Sequence, residues 1–456
     1  MDALTRYLQQ NEDRFVEDLK AALRIPSVST DPGRRDDCRR CAEFFAQELK
    51  RVGMTRAEVV TTGGHPVVYA EWLGAPGKPT VLLYGHYDVQ PPEPLELWKT
   101  PPFEPELRDG KLYARGAVDD KGQVYMHIKA IEAHFQVNGA MPVNLKVVIE
   151  GEEECGSEHL EGFLVSRRAE LDADVILVSD TAMLGPDQPA LTYALRGILY
   201  TQINIQGPAH DLHSGHFGGA VRNPANALCS IIDRLRDAEG RITVPGFYDS
   251  VRVLTPDERH ALLGLPFDEQ AFLAESGAPM GVGEIGYSTL ERISSRPTLD
   301  VNGIWGGYTG AGAKTVLPAR ASAKVSMRLV ADQRPEDLFP KFAAHVKALA
   351  PSGVTVEVEN LHSCLPFLTE ADHPMLDRAR KALARAWSKP AAMIREGGSI
   401  PVMATFQRTH GLPSILMGFG LDDDNVHAPN EKFSLSSYHG GTRSVAYLYE
   451  ELASAR

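Results

Sequence analysis

The sequence predicts an α/β domain, its strands buried on both faces, interrupted by a smaller α+β domain with an antiparallel sheet and two helices. Three observations lead there. Short apolar, β-branched runs alternate with helical segments up to residue 193. Near residue 194 the strands change to regular apolar–polar alternation, the mark of a half-exposed sheet. From Pro374 the first pattern returns. The divisions drawn from these changes are 1–193, 194–365 and 366–456.

The elements follow in chain order. Residues 1–25 read as one amphipathic helix ending at Ile25-Pro26, where proline forbids continuation. A second helix runs from Asp36 to Val52 and stops at Gly53. Val67–Ala70 and Thr80–Tyr84 are strands, Gly122–Phe135 is a helix, and Asn144–Ile149 and Asp174–Val178 are strands again. Continuous apolar runs of this length suit a sheet covered by helices on both sides. In the inserted part, Ile198–Gln206 and Ala321–Leu329 alternate, and Val354–Leu361 is a further strand. Pro224–Glu239 and Pro335–Ala350 are its two helices, and the proline- and glycine-rich stretch after residue 239 reads as loop. A helix over Pro374–Trp387 and a strand at Ser414–Met417 complete the first domain. No internal repeat or low-complexity segment is visible.

Composition narrows the function classes. The 456 residues are 43 % hydrophobic and 23 % charged, ordinary for a globular protein. A formal charge of −13 argues against a nucleic-acid partner. Apolar runs such as Val175–Val178 are strand-sized, far short of the roughly 20 residues of a membrane span. The N-terminal residues show no signal-peptide apolar run, so a cytoplasmic location is expected. Five cysteines do not make a complete disulfide framework. Cys38 and Cys41 form a C-x-x-C spacing without a second pair, and in an arginine-rich helix they read as surface thiols.

Chemistry-bearing residues gather at strand-to-loop junctions. The strand Thr80–Tyr84 runs into Gly85-His86-Tyr87-Asp88, where His86 and Asp88 share a face. An aspartate beside a histidine is suited to fixing its tautomer for metal binding. Asp119-Asp120 stand at a helix N-terminus, where capping is the plain alternative. Glu152-Glu153-Glu154 follow the apolar strand ending at Ile149, and Ser179-Asp180 follow Val178. Strand ends are where α/β folds build sites. His427 lies in a late loop. Two histidines and several carboxylates suit a pair of divalent ions sharing a bridging carboxylate, and argue against a sulfur-rich structural zinc site. A serine hydrolase is the rival reading. Gly397-Gly398-Ser399 lacks the G-x-S-x-G elbow, however, and neither a P-loop nor a dinucleotide fingerprint occurs.

Taken in order, Gly85-His86-Tyr87-Asp88-Val89, Arg115-Gly116 with Asp119-Asp120-Lys121-Gly122, Glu150–Glu154 with Gly156-Ser157, Asp211-Leu212-His213-Ser214-Gly215 and Arg395–Pro401 resemble a known family. It is the co-catalytic two-metal aminoacylase/carboxypeptidase-type peptidase family, and the length and the last motif resemble its cytosolic, carnosinase-like dipeptidase branch. The resemblance implies a metal-binding catalytic domain and an inserted lid. Asp119 would bridge two divalent ions, zinc or manganese, and be joined to Asp120 by a cis peptide. His86 and Asp180 would complete one metal site, and Glu154 and His427 the other. Asp88 would orient His86, and Glu153 would be the general base acting on a metal-bridging water. A shift of one residue along the acidic run would exchange the roles of Glu153 and Glu154.

In the lid, the resemblance implies that His213 reaches a partner subunit's site in a homodimer formed through that domain, with His210 and His216 as competitors. Arg328 would clamp the substrate carboxylate, and His362 and Ser399 would also touch substrate. Gly397 and Gly398 would let the backbone approach the ligand. The implied reaction is hydrolysis of a dipeptide amide. An N-acyl amino acid deacylase, or a non-catalytic binding member, are the alternatives.

Overall fold

The computed structural model describes residues 2–398 and 400–454. The chain forms two compact units, one from the residues up to Tyr193, Thr369–Ile394 and those from Pro401 onward, the other from Ala194–Leu368 and Arg395–Ile400. The second unit thus extends to residue 368 rather than 365, and a short later segment returns to it.

In the first unit a mixed sheet carries its strands in the order Arg56–Val60, Val67–Trp72, Asn144–Glu150, Thr80–His86, Val175–Val178, Ser414–Leu416, Ala190–Leu195. The four from Asn144–Glu150 to Ser414–Leu416 are parallel and the flanking ones antiparallel. Val81, Leu82, Val147, Val148, Ile176 and Leu177 are wholly or almost wholly buried. Burying each such side chain contributes about 1.5–3 kcal/mol. The helix Lys121–Asn138 lies against Thr80–His86 and packs on Arg35–Val52 and Leu435–Ala453. It is buried from Lys121 to His134, polar residues included.

The predicted single helix over residues 1–25 is two, Ala3–Gln10 and Glu12–Leu23, divided at Asn11. Helix Arg35–Val52 ends at Gly53, whose φ of 119° is a conformation glycine reaches without strain. Cys38 and Cys41 on this helix are completely buried, not surface thiols. With Ala42, Phe45, Leu49 and Val52 they form its inward stripe. Burial pushes the Cys38 thiol up to about 12, so both cysteines behave as small apolar side chains.

The second unit is a four-stranded antiparallel sheet ordered Thr298–Gly306, Arg320–Leu329, Gly197–Gln206, Thr355–Cys364. Alternate residues Leu199, Ile203 and Ile205, with Ala323, Val325 and Met327, point to one face. There they pack with Leu228 and Ile231 of helix Pro224–Asp233 and with Leu338, Phe342 and Val346 of helix Pro335–Leu349. The first of these helices stops at Asp233, six residues before its predicted end. The stretch expected to be loop contains the short helices Pro256–Leu263, Glu269–Ser276 and Thr289–Ser294. The first and third are fixed by full capping boxes at Thr255/Glu258 and Ser288/Glu291. Among the described residues no helix is long and apolar enough to cross a membrane.

Candidate metal centre

Three parallel strands deliver the centre from their carboxyl ends, where such sheets present backbone and side chains outward. Thr80–His86 ends in His86, Asn144–Glu150 leads to the acidic turn at Glu153-Glu154, and Val175–Val178 leads to Asp180. His86 is fully buried. Its Nδ1 lies 3.1 Å from the Asp88 carbonyl and 3.4 Å from Asp88 Oδ1, leaving Nε2 to face Asp119 Oδ1 at 3.1 Å. Asp180 Oδ2 is 4.0 Å from the same Nε2. The Asp88 carboxylate has a second task, accepting the backbone N–H groups of Glu153 at 3.3 Å and Glu154 at 3.1 Å. One aspartate therefore contacts a histidine and anchors the acidic turn.

Asp119 turns its other oxygen to His427, with Oδ2 and Nε2 2.9 Å apart. His427 Nε2 is also 3.2 Å from Glu154 Oε2. His427 reaches this position from a loop in which Asn425, His427 and Asn430 all adopt positive φ. The Asp119–Asp120 peptide is cis. Asp120 makes no side-chain cap to the following helix. Its Oδ2 accepts the His86 backbone N–H at 3.2 Å, while Oδ1, buried, has no hydrogen-bond partner among the described residues. Gly85 permits this approach, because a Cβ there would meet Val124 at 2.4 Å and Asp120 Oδ2 at 2.9 Å.

The donor atoms form two groups sharing Asp119. His86, Asp119 and Asp180 make one, and Asp119, Glu154 and His427 the other, each with its ligand atoms within 4.8 Å of one another. The electrostatics call for positive charge. Asp119 and Glu154 hold His427 up to about 10. Burial and nearby carboxylates push Asp120 and Glu153 well above the usual carboxylate range. Burial pushes Glu150 up to about 7; it accepts hydrogen bonds from Tyr84 at 2.6 Å and Ser157 at 2.9 Å. Imidazole and carboxylate donors, an orphaned buried oxygen and crowded like charges fit two divalent cations. Glu152, the neighbour along the acidic run, pairs instead with His159 at 2.9 Å.

Two contacts escaped the sequence. Gln90 Nε2 donates to Glu154 Oε2 at 2.8 Å and to its carbonyl at 3.2 Å, fixing that side chain. In the second unit, Arg196 Nε donates to the Gly397 carbonyl at 3.0 Å. Burial and the neighbouring Arg328 charge lower Arg196 to about 10. A Cβ on Gly397 would lie 2.6 Å from the Ile293 carbonyl and 2.8 Å from Arg196 Nη2, so the bare Cα there makes room for the protein itself. A single arginine or glutamine between strands carries no motif, and only the fold identifies its neighbours.

The other expected residues lie in the second unit. Arg328, half-buried, sits opposite Ile198 and Thr298, and exposed His362 sits opposite Tyr200 after a bulge. Both occupy the sheet face turned away from the helices. His213 is exposed, accepts the Gly215 N–H on Nδ1 at 3.0 Å, and has its ring 4.8 Å from that of His216. His210 is exposed in the preceding bend. Ser399 lies outside the described residues.

Comparison with known proteins adds a second line of evidence. A family model described as Peptidase family M20/M25/M40 matches residues 82–451. The Cys-Gly metallodipeptidase dug1 of Schizosaccharomyces pombe is 36 % identical over 473 residues, covering 100 % of this chain and 98 % of that protein. The human Beta-Ala-His dipeptidase is 31 % identical, covering 99 % and 93 %. The solved structure of the di-peptidase Dug1p from Saccharomyces cerevisiae is 30 % identical, covers 99 % of this chain and 98 % of that one, and superposes with a TM-score of 0.79.

Proposed function

We propose that this chain, which belongs to peptidase family M20/M25/M40, is a dipeptidase that uses two divalent metal ions, zinc or manganese. The observation that carries the reading is Asp119, whose two oxygens face the two histidines His86 and His427. His86, Asp119 and Asp180 would hold one ion, and Asp119, Glu154 and His427 the other. When bound, the cations supply an acidified water and a polarised scissile carbonyl.

The chain's own residues do the rest. Asp88 keeps Nδ1 of His86 occupied, so Nε2 faces the centre. Glu153, held by the same Asp88 through its backbone N–H, takes the proton of the attacking water. It then passes that proton to the leaving amine. Its low-dielectric setting, which pushes its proton affinity up, suits a group that must accept a proton and give it back.

Arg328 is assigned to the substrate carboxylate, which its planar fork matches in two hydrogen bonds. His213, His362 and Ser399 are further substrate contacts, with His213 serving a partner subunit in a homodimer formed through the second unit as a lid. A cytoplasmic setting suits such an enzyme. Relatives named for Cys-Gly and for β-Ala-His direct the choice of substrates.

The test is hydrolysis of Cys-Gly, β-Ala-His, other dipeptides and N-acetyl amino acids by metal-stripped protein with zinc or manganese restored. Metal-dependent cleavage of dipeptides is expected. Cleavage of the acyl amino acids alone would make the chain a deacylase, and silence with two ions bound would make it a binding protein.

A further inference from the structure

Asp119 and His427 come from segments about 300 positions apart, Arg115–Asp120 and Asp424–Lys432, and one side chain joins them. Glu431 is fully buried. Its Oε2 accepts from Arg115 Nη1 at 2.8 Å and from the Gly116 backbone N–H at 2.9 Å. Its Oε1 accepts the backbone N–H groups of Val118 at 3.1 Å and Asp119 at 3.2 Å. The Glu431 carbonyl accepts the Ala114 N–H at 3.1 Å as well. Three backbone N–H groups thus converge on one carboxylate, as in an anion-binding nest, with Gly116 at a φ of 82° making the turn.

A nest can be filled by any anion. Here the occupant belongs to the loop that carries His427. That loop is closed on itself: the Lys432 N–H reaches the Asp424 carbonyl at 3.0 Å, the Ala428 N–H reaches the Asn425 carbonyl at 2.9 Å, and Asn425 Nδ2 reaches the Asn430 carbonyl at 3.3 Å. Three residues separate Glu431 from His427, so fixing Glu431 restricts where the imidazole begins. The same carboxylate holds the backbone nitrogen of Asp119, the residue that imidazole faces.

We propose that Glu431 is a positioning residue for the metal centre: it sets the separation of Asp119 from His427 by binding the Asp119 loop with a carboxylate carried on the His427 loop. This rests on the two-metal reading given above. The alternative is a buried Arg115–Glu431 ion pair that serves stability alone.

The experiment compares wild type, Glu431→Gln and Glu132→Gln, the last removing another buried, ion-paired carboxylate. For each, zinc affinity for the first and second equivalents is measured by competition with a chromophoric chelator, alongside Tm and kcat/KM. Glutamine keeps the shape and turns an N–H group toward N–H donors. Glu431→Gln is expected to weaken at least one zinc equivalent by about 10- to 100-fold, the usual cost of losing a group that orients a ligand. Glu132→Gln is expected to lower Tm and leave both zinc affinities unchanged. Zinc affinities within threefold of wild type in Glu431→Gln would overturn the proposal, as would an equal loss in Glu132→Gln. If Glu431→Gln does not fold, Glu431→Asp, which keeps the charge and retracts it by one methylene, decides by the same criteria. A wild type that binds fewer than two zinc ions would instead overturn the two-metal reading itself.

Discussion

At the scale of single residues, the centre is a problem of crowded negative charge, and each carboxylate has a different means of bearing it. Asp119 is shared between two imidazoles, Asp88 receives two backbone N–H groups, and Glu153 lies half-buried with its proton affinity raised. With Glu153 as the proposed base, Glu153→Gln should remove proton transfer and leave the proposed metal ligands in place. It should retain two metal ions per chain by elemental analysis while kcat falls by about 10²–10⁴-fold. Retained turnover would take Glu153 out of the base role. Much of this cluster was legible in the sequence because its members follow apolar strands or stand beside glycines. Gln90 and Glu431 were not, because side chains whose hydrogen-bond partners lie far away in the chain leave no spacing signature. Cys38 and Cys41 differ from the surface thiols expected for another reason. The flanking Arg39 and Arg40 suggest an exposed face, whereas the spacing of 38, 41, 42, 45 and 49 is the inward stripe of a helix.

Four helices of the first unit meet at one buried carboxylate. Glu132, on helix Lys121–Asn138, accepts from Tyr7 at 3.0 Å, from Arg51 at 3.1 Å and from Lys129 at 3.2 Å, and it pairs with Arg14 as well. Tyr7, Arg14 and Arg51 belong to three different helices. Burial raises Glu132, but Arg14, Lys129 and Tyr7 outweigh it and hold the carboxyl at about 2, below its ordinary 4.5. A depressed folded pKa stabilises fully above the unfolded value, and that stabilisation is lost as pH falls through the folded one. Glu132→Gln should therefore cost about 1.5–3 kcal/mol at neutral pH, kept to this range because Arg14 and Arg51 are partly exposed. In urea titrations the gap from wild type should narrow between pH 5 and 2. A gap independent of pH would mean that Glu132 contributes through packing. Sequence periodicity found the helix but not this role, since a helix buried all round shows little amphipathic contrast. The capped short helices after residue 239 were hidden similarly, being specified by Thr255 and Ser288 at their starts more than by an apolar stripe.

For the whole molecule, the assignment of His213 to a partner's site predicts complementation. Protein carrying His213→Ala is mixed with protein carrying Glu153→Gln under conditions of subunit exchange. In a two-fold dimer one of the four resulting site types is intact, so activity should recover to about a quarter of wild type. No recovery despite demonstrated exchange would confine His213 to its own subunit or remove it from the reaction. The division of the chain also orders events during synthesis. The strand Ser414–Leu416 joins a sheet whose other parallel strands were translated more than 200 codons earlier, and His427 follows it. At ribosomal speed that interval is on the order of tens of seconds. Throughout it, Val175–Val178 waits as an unpaired edge and Asp119 lacks one of its two histidines. On the proposed two-metal reading, the group of Asp119, Glu154 and His427 is therefore the last to be completed as the chain is made.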